Sequence, residues 1–450
     1  MELPLPELGE IHEYHKDPMG YITQKTQPKD LSLRKTEKVK FGEVFTPPAI
    51  INAMLDQLPP HLWSDPTKKW LDPAAGLGNF PMMVYARLMT GIANHHPDPA
   101  ERSRHIIQQM LYMVELNPES CARIQRTFGS TVNVLEGDFL DPRRLDFPDG
   151  TTGQFDIIMG NPPFNAEQTH EGKPGGGANL WPKFVEKSLV GSLLKQGAYL
   201  LFVHPALWRK PPSPKAATLF DLMVHDNHML YLEIHSKLDG KRDFGVQTRY
   251  DFYLIQKRRP TPRHDFTRVK DQLGREAQQI DLSEWRFLPN HSFKLLQPLL
   301  SSKNQEEYVI FSRTQFGTDQ KYVRQMKEGE YRHPVVHSTP LKGHRIYWSS
   351  KINDDCKKMF GIPKVIFGES GINDAICDIR GEFGMTQGSI GLKIPAPIET
   401  EGPMMKKALE SEVFNRILDA MSFSNFRIDW RMFLFIRPDF YRDPMFQTQI

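Results

Sequence analysis

The sequence predicts an α/β fold, a doubly wound and mostly parallel sheet followed by a smaller α+β module. Three observations carry this. Short apolar runs alternate with amphipathic stretches from about residue 46 into the 250s, which is the rhythm of strand–helix–strand units. The rhythm stops near Arg258, where short runs such as Lys364–Phe367 and clustered glycine turns take over. At 450 residues the chain is also longer than one ordinary domain. The expected division is an arm at 1–40, an α/β domain at 41–257 and a second domain at 258–450.

Each element has a local reason. Residues 1–40 are polar with scattered apolar positions. Thr46-Pro47-Pro48 ahead of Ile50, Ile51, Met54, Leu55 and Leu58 predicts a helix with proline in its first turn. Trp70-Leu71 leads a strand into Asp72-Pro73-Ala74-Ala75-Gly76-Leu77-Gly78-Asn79-Phe80, and Met82–Met89 continues as a helix. Met110–Leu116 is a strand, after which Asn117-Pro118 caps a helix ending near Gly129. Val132–Leu135 and Phe155–Met159 are strands closed by Glu136-Gly137-Asp138 and by Gly160-Asn161-Pro162-Pro163-Phe164. Leu180–Leu194 reads as a helix, Ala198–Val203 and Met229–Ile234 as strands, and Gln247–Gln256 as a final edge strand. In the second domain Lys406–Met421 reads as one helix.

Composition excludes whole classes. With 39% hydrophobic and 25% charged residues the chain has material for a core, unlike fibrous or disordered sequences. No run approaches the ~18 apolar residues of a membrane span, and the start MELPLPELGE lacks the pattern of a secretory signal. Cys121, Cys356 and Cys377 include no CxxC pair, so neither a disulfide framework nor a zinc site is expected, and no metal. The net charge of +3 names no acidic partner. It averages over two basic stretches, six basic side chains against two acids at 23–42 and ten against four at 236–270. Runs of like charge are usually solvated faces, so each is weak evidence of a nucleic-acid partner.

Four strand ends gather the residues suited to chemistry, and ligands of doubly wound sheets sit beyond such ends. The first carries Gly76-x-Gly78, a turn that admits close backbone approach and opens a helix. The second carries Glu115, suited to a ribose diol, and the third Asp138. The fourth carries Asn161-Pro162-Pro163-Phe164, where two prolines remove two donors and hold the Asn rigidly. Taken singly, each has a plain structural reading as a tight turn, a helix cap or a solvated strand end. Glu115 follows Gly78 by 37 residues rather than the roughly 20 of a dinucleotide fold, which argues against a nicotinamide cofactor.

Together these residues resemble the gamma class of S-adenosylmethionine-dependent DNA adenine-N6 methyltransferases of restriction–modification systems. Lys40-Phe41-Gly42-Glu43-Val44-Phe45-Thr46-Pro47 is similar to that family's segment before the sheet, Asp72–Phe80 to its first sheet motif, and Asn161–Phe164 to its catalytic signature. Phe244-Gly245-Val246 resembles the segment whose aromatic holds the target base. Ala75 and Leu77 depart from the family's commonest residues around retained glycines. The resemblance implies a Rossmann-like doubly wound methyltransferase sheet with a C-terminal α+β target-recognition domain. It implies S-adenosylmethionine held by Phe45, Thr46, Pro47, Asp72, Ala74, Gly76, Gly78, Glu115, Asp138, Phe139 and Asn161. Catalysis falls to Asn161, Pro162, Pro163 and Phe164, with Phe164 and Phe244 stacking on the flipped base. Double-stranded DNA is the partner, contacted by Lys173 in a glycine-rich flap and by Arg249, Arg258 and Arg259. A separately encoded restriction endonuclease and a cytoplasmic bacterial or phage setting (or the DNA-containing compartment of a large virus) go with it.

The chemistry asked of the signature is plain. An adenine N6 lone pair is delocalised into the ring, and two acceptors, the Asn161 side-chain oxygen and the Pro162 carbonyl, can bind its two N–H donors and leave the lone pair aimed at a methyl donor. Cytosine-C5 methylation needs a cysteine nucleophile, normally after proline, and none of the three cysteines follows one. Other readings are an inactive accessory subunit that keeps the fold, and methylation of RNA or of protein glutamine.

Overall fold

The structure is a computed structural model and is described for residues 9–14, 20, 45–141, 145–164, 179–212, 218–274, 276–301, 307–310, 316–352, 359–423 and 427–447. The chain forms two compact units, residues 1–208 with 218–283, and residues 209–217 with 284–450.

The first unit is built on a nine-stranded sheet. Its strands are β1 (Trp70–Asp72), β2 (Leu111–Glu115), β3 (Asn133–Glu136), β4 (Phe155–Gly160), β5 (Leu194–Pro205), β6 (His228–His235), β7 (Tyr250–Gln256), β8 (Thr267–Lys270) and β9 (Gln278–Ile280). Their spatial order is β3-β2-β1-β4-β5-β7-β6-β8-β9. β1 to β5 pair in parallel. β7 runs against both β5 and β6, so β6 keeps the common direction. The short β1 and β2 are buried along their whole length, as strands covered on both faces must be.

Helices join the strands where the capping residues allow. Pro47 precedes α1 (Pro48–Leu55), with a proline in the first turn. Gly78, in the left-handed region, opens α2 (Asn79–Gly91). Asn117 caps α3 (Pro118–Phe128) by accepting from the Glu119 amide. The unit's remaining longer helices are α4 (Trp181–Leu189) and α5 (Lys237–Phe244). Ile51, Met54 and Leu55 of α1 pack with Trp70, Val84, Leu88 and Phe128 in one apolar core.

Three expectations need correction. The helix expected over Leu180–Leu194 stops at Leu189, because Val190 turns extended and Gly191 takes φ +84, and Leu194 already belongs to β5. β7 is not an edge strand. Its side chains are buried on both faces, and it lies between β5 and β6. The sheet also runs on past Lys257 through β8 and β9, so the first unit reaches Ser283.

The second unit is α+β. Strands β10 (Val309–Ile310), β14 (Lys364–Gly368), β15 (Gly371–Asp378) and β17 (Ser389–Lys393) make one sheet. β11 (Val323–Arg324), β12 (His333–Ser338), β13 (Arg345–Ser349) and β16 (Gly384–Met385) make another. The single helix expected over 406–421 is two, α6 (Ile398–Leu409) and α7 (Glu412–Ala420), because Ser411 turns extended and caps the second through the Phe414 amide.

Candidate active site

The strand order reverses between β1 and β4. From β1 the chain steps outward to β2 and β3, and from β4 it steps the other way to β5. A crevice opens beyond the carboxyl ends at such a switch point, and it is bordered here by Asp72–Gly78 after β1 and Gly160–Phe164 after β4.

Glycines shape the first border. Gly76 has φ +54 and Gly78 φ +81, conformations that L side chains rarely adopt. A Cβ on Gly76 would meet nothing within 4 Å, so this backbone faces open space. Glu115 reaches it from the end of β2. Its Oε2 accepts the Gly76 N–H at 2.7 Å and its Oε1 the Asn117 N–H at 2.8 Å. Burial pushes the Glu115 carboxyl above its ordinary range. Asp72 is 1% exposed, and its Oδ1 accepts from the Ala74 amide at 3.1 Å. Burial, with the Glu115 charge nearby, pushes Asp72 up to about 8, so it keeps its proton at neutral pH.

The second border packs directly on the first. A Cβ on Gly160 would lie 2.7 Å from Asp72 Oδ1, and Gly160 has φ +149. Asn161 follows, and its Nδ2 donates to Thr46 Oγ1 at 3.0 Å across 115 residues of sequence. That bond turns the amide nitrogen toward Thr46 and the amide oxygen the opposite way. Thr46 is buried just ahead of α1, with Pro47 capping the helix and Phe45 packed on the core.

The structure brings Phe164 and Phe244 together, with ring centroids 6.5 Å apart at 72°. Phe244 in turn meets Tyr250 edge to face at 4.8 Å. The two phenylalanines touch edge to face, so they do not form a parallel-walled slot. Asp138, just beyond β3, is exposed and accepts the Leu140 amide at 2.8 Å. The Phe139 ring is buried, stacked on Phe184 at 5.1 Å with Lys187 Nζ 5.0 Å from its centroid. It therefore has no open face.

The expected DNA contacts divide. Phe41–Val44, the 23–42 stretch, and Lys173 with its flap lie outside the described residues. Arg249 stands at the carboxyl edge of the sheet and binds Gln272. Arg258 and Arg259 lie apart from the site. β7 runs backward from Tyr250, beside Pro205, to Gln256, beside Tyr199, so they follow it at the opposite edge, about 20 Å along the sheet. Arg258 is held there by Asp265 at 2.7 Å. The basic stretch 236–270 is answered in part by carboxylates, since Arg242 pairs with Asp239 and Asp243, Arg259 with Asp226 and Lys270 with Glu233.

Sequence reasoning missed four residues. Gly160 carried a signal, a glycine closing an otherwise bulky strand. Leu116, 55% exposed beside Glu115, offers an apolar surface next to polar site groups. Trp181 stacks on His204 at 4.1 Å, and the neighbouring Leu180 amide donates to the Phe164 carbonyl at 3.1 Å. His204 is fully buried, accepts from Tyr253 and is driven down to about 3 by burial. Nothing in the local sequence marks this pair.

The reversed seventh strand between β5 and β6, with a glycine turn and buried acids at the switch point, makes the first unit a class I S-adenosylmethionine-dependent methyltransferase fold. Residues 100–236 match the family described as Eco57I restriction-modification methylase. Over 98 residues it is 35% identical to a Mycoplasma pneumoniae protein described as an uncharacterized adenine-specific methylase, covering 21% of this chain and 23% of that one. The chain thus spans about a quarter of the curated relative it matches. Among solved structures it resembles the M protein of the type I restriction enzyme EcoKI, at 16% identity and TM-score 0.35 over 57% of this chain and 56% of that one. It also resembles the type IIL restriction-modification enzyme MmeI in complex with DNA, at 10% identity and TM-score 0.38 over 88% and 66%. Among the described residues no helix is long and apolar enough to cross a membrane.

Proposed function

We propose that this chain transfers a methyl group from S-adenosylmethionine to the N6 amino group of an adenine flipped out of a specific double-stranded DNA sequence. The observation that carries the reading is the Asn161–Thr46 hydrogen bond, which sets the orientation of the amide just beyond β4. With its nitrogen turned to Thr46, Asn161 presents an acceptor. The Pro162 carbonyl supplies a second, and Pro163 keeps the turn rigid. Two acceptors for two N–H donors suit a primary amine on a planar ring, and the gain is one of positioning and a matched field.

The residues present fit the cofactor. Gly76 leaves room for it against bare backbone, and Gly78 supplies the left-handed turn that opens α2. Glu115 and Asp138 offer carboxylate oxygens to hydroxyl and amino groups, and Leu116 offers an apolar face. Phe45, Thr46, Pro47, Asp72, Ala74 and Phe139 act by shaping the walls, since Asp72 and the Phe139 ring are covered. When bound, S-adenosylmethionine supplies a methyl carbon activated by its sulfonium. A flipped base gains stacking, which Phe164 provides with Phe244 against its edge. The second unit is the target-recognition domain in this reading. Duplex DNA is the substrate, and a separately encoded endonuclease and a cytoplasmic setting belong to the same reading.

Purified chain is expected to move tritiated methyl from S-adenosylmethionine into duplex DNA as N6-methyladenine. Asn161→Ala is expected to abolish transfer while cofactor binding, read by calorimetry, persists. Transfer by that variant at the parent rate, or transfer only to RNA or protein, overturns the proposal.

A further inference from the structure

We propose that the exposed basic surface over residues 321–351 of the second unit is a contact surface for the phosphate backbone of duplex DNA. The inference rests on the reading of this chain as a DNA methyltransferase, and it assigns a particular surface to the substrate.

The stretch carries seven Lys and Arg residues against two acids, Glu328 and Glu330. All seven basic side chains are exposed. In the first unit the basic stretch 236–270 is answered in part by carboxylates, at Arg242, Arg258, Arg259 and Lys270. Here, among the described residues, no ion pair to a carboxylate forms at any of the seven. Three of them lie instead over aromatic rings. Arg324 is 5.3 Å from the Tyr331 centroid, Lys327 is 4.9 Å from Trp348, and Lys351 is 4.8 Å from Tyr322.

That choice of partner matters physically. A cation held by a carboxylate has spent its charge, and a phosphate must then displace the carboxylate. A cation held on a ring keeps its full charge while its long side chain is already ordered, so less conformational entropy is lost on binding. Lys321, Arg332, Lys342 and Arg345 add exposed charge along the same stretch. An ordinary solvated face mixes charge signs and exposes few large apolar groups. This one exposes Met326 at 74% and Leu341 at 75% among its cations, apolar groups of the kind that enter a groove beside the backbone. Beneath it, Val323, Val335, Val336 and Ile346 anchor the small sheet on its own core, so the surface has a rigid base.

The test compares full-length proteins by fluorescence anisotropy on a labelled duplex, at several salt concentrations. Lys321→Gln, Lys342→Gln and Arg345→Gln are combined, since none of the three holds a ring. The salt slope is expected to fall by about 0.9 for each lost phosphate contact, with affinity down roughly tenfold or more. Calorimetric S-adenosylmethionine affinity should not move, and KM for DNA should rise with kcat retained. A control, Lys195→Gln, from the far edge of the first unit's sheet, should bind DNA nearly as the parent does. If the triple variant fails to fold, the three single variants carry the same test. Parent-like affinity and salt slope in the variants overturns the inference even where the parent methylates adenine. An equal loss in the control overturns it too, as does loss of binding to anionic phosphatidylserine vesicles with DNA binding intact. A parent that binds no DNA and methylates another polymer defeats the proposed function itself.

Discussion

At the scale of single residues, the site depends on two contacts in which side-chain size and charge leave no slack. Gly160 holds φ +149, and any Cβ there would stand 2.7 Å from Asp72 Oδ1. Gly160→Ala must therefore strain the backbone or displace the carboxyl, at about 1–3 kcal/mol. Strain in the backbone at 160 would shift the adjoining Asn161, so methyl transfer is expected to fall by at least tenfold, measured as kcat/KM on duplex DNA, while secondary structure is kept. Asp72 gives a prediction of a different kind. Its pKa rises from 3.8 to about 8 on folding. A carboxyl of this sort favours the folded state fully below its unfolded pKa, and the contribution is lost as pH rises through the folded value. Asp72→Asn keeps the shape and cannot ionise. Its melting temperature relative to the parent is expected to climb between about pH 5 and about pH 8. A difference that stays flat across that window would show that Asp72 does not titrate there.

At the scale of elements, the clearest case is α5, which carries Phe244 to Phe164. Ser236 and Asp239 form a reciprocal capping box at its start, and Gly245 closes it at φ +68. An eight-residue helix has little stability of its own. Ser236→Ala is expected to cost about 1 kcal/mol and to speed hydrogen exchange of the α5 amides roughly fivefold, with β1 and β4 unchanged; unaltered α5 protection would refute the role of the cap. The helix belongs to a unit whose strand order was legible only in part. β1 to β4 could be read because each ends in a residue type with a chemical reason to be there, such as Gly76, Glu115 and Asn161. The place of β7 could not be read by the same logic, since strand order depends on contacts remote in sequence. Its composition did carry a hint, because Tyr250–Ile255 is bulky on both faces around a single buried acid, Asp251, and strands of that kind are central. The basic stretch 236–270 misled for a related reason. Charge excess along a sequence does not show that Asp226, Glu233 and Asp265 meet those cations in space. The Asn161–Thr46 bond was legible as two motifs and not as a contact.

At the scale of the whole molecule, the second unit is assembled from two separate pieces of chain. Residues 209–217 leave the first unit, join the second and return. Arg209 shows what that excursion does. It is fully buried, and its guanidinium donates to the Leu288, Pro289 and Asn290 oxygens at 3.2, 2.9 and 3.1 Å. The ring of Phe423 lies 5.1 Å away, and the Arg209 carbonyl accepts the Leu288 amide at 2.9 Å. A fragment cut at residue 284 lacks this arginine and leaves buried acceptors unmet. Arg209→Met in the full chain does the same at roughly 1 kcal/mol or more for each acceptor, about 3 kcal/mol together. Two units need not unfold as one, so the loss should be local. Hydrogen exchange is expected to lose about a hundredfold of protection across β14 and β17, with β1, β2 and β4 unaffected and S-adenosylmethionine affinity unchanged. Loss spread evenly over both units would show that they unfold together, and no loss in β14 would show that Arg209 does not hold the second unit closed.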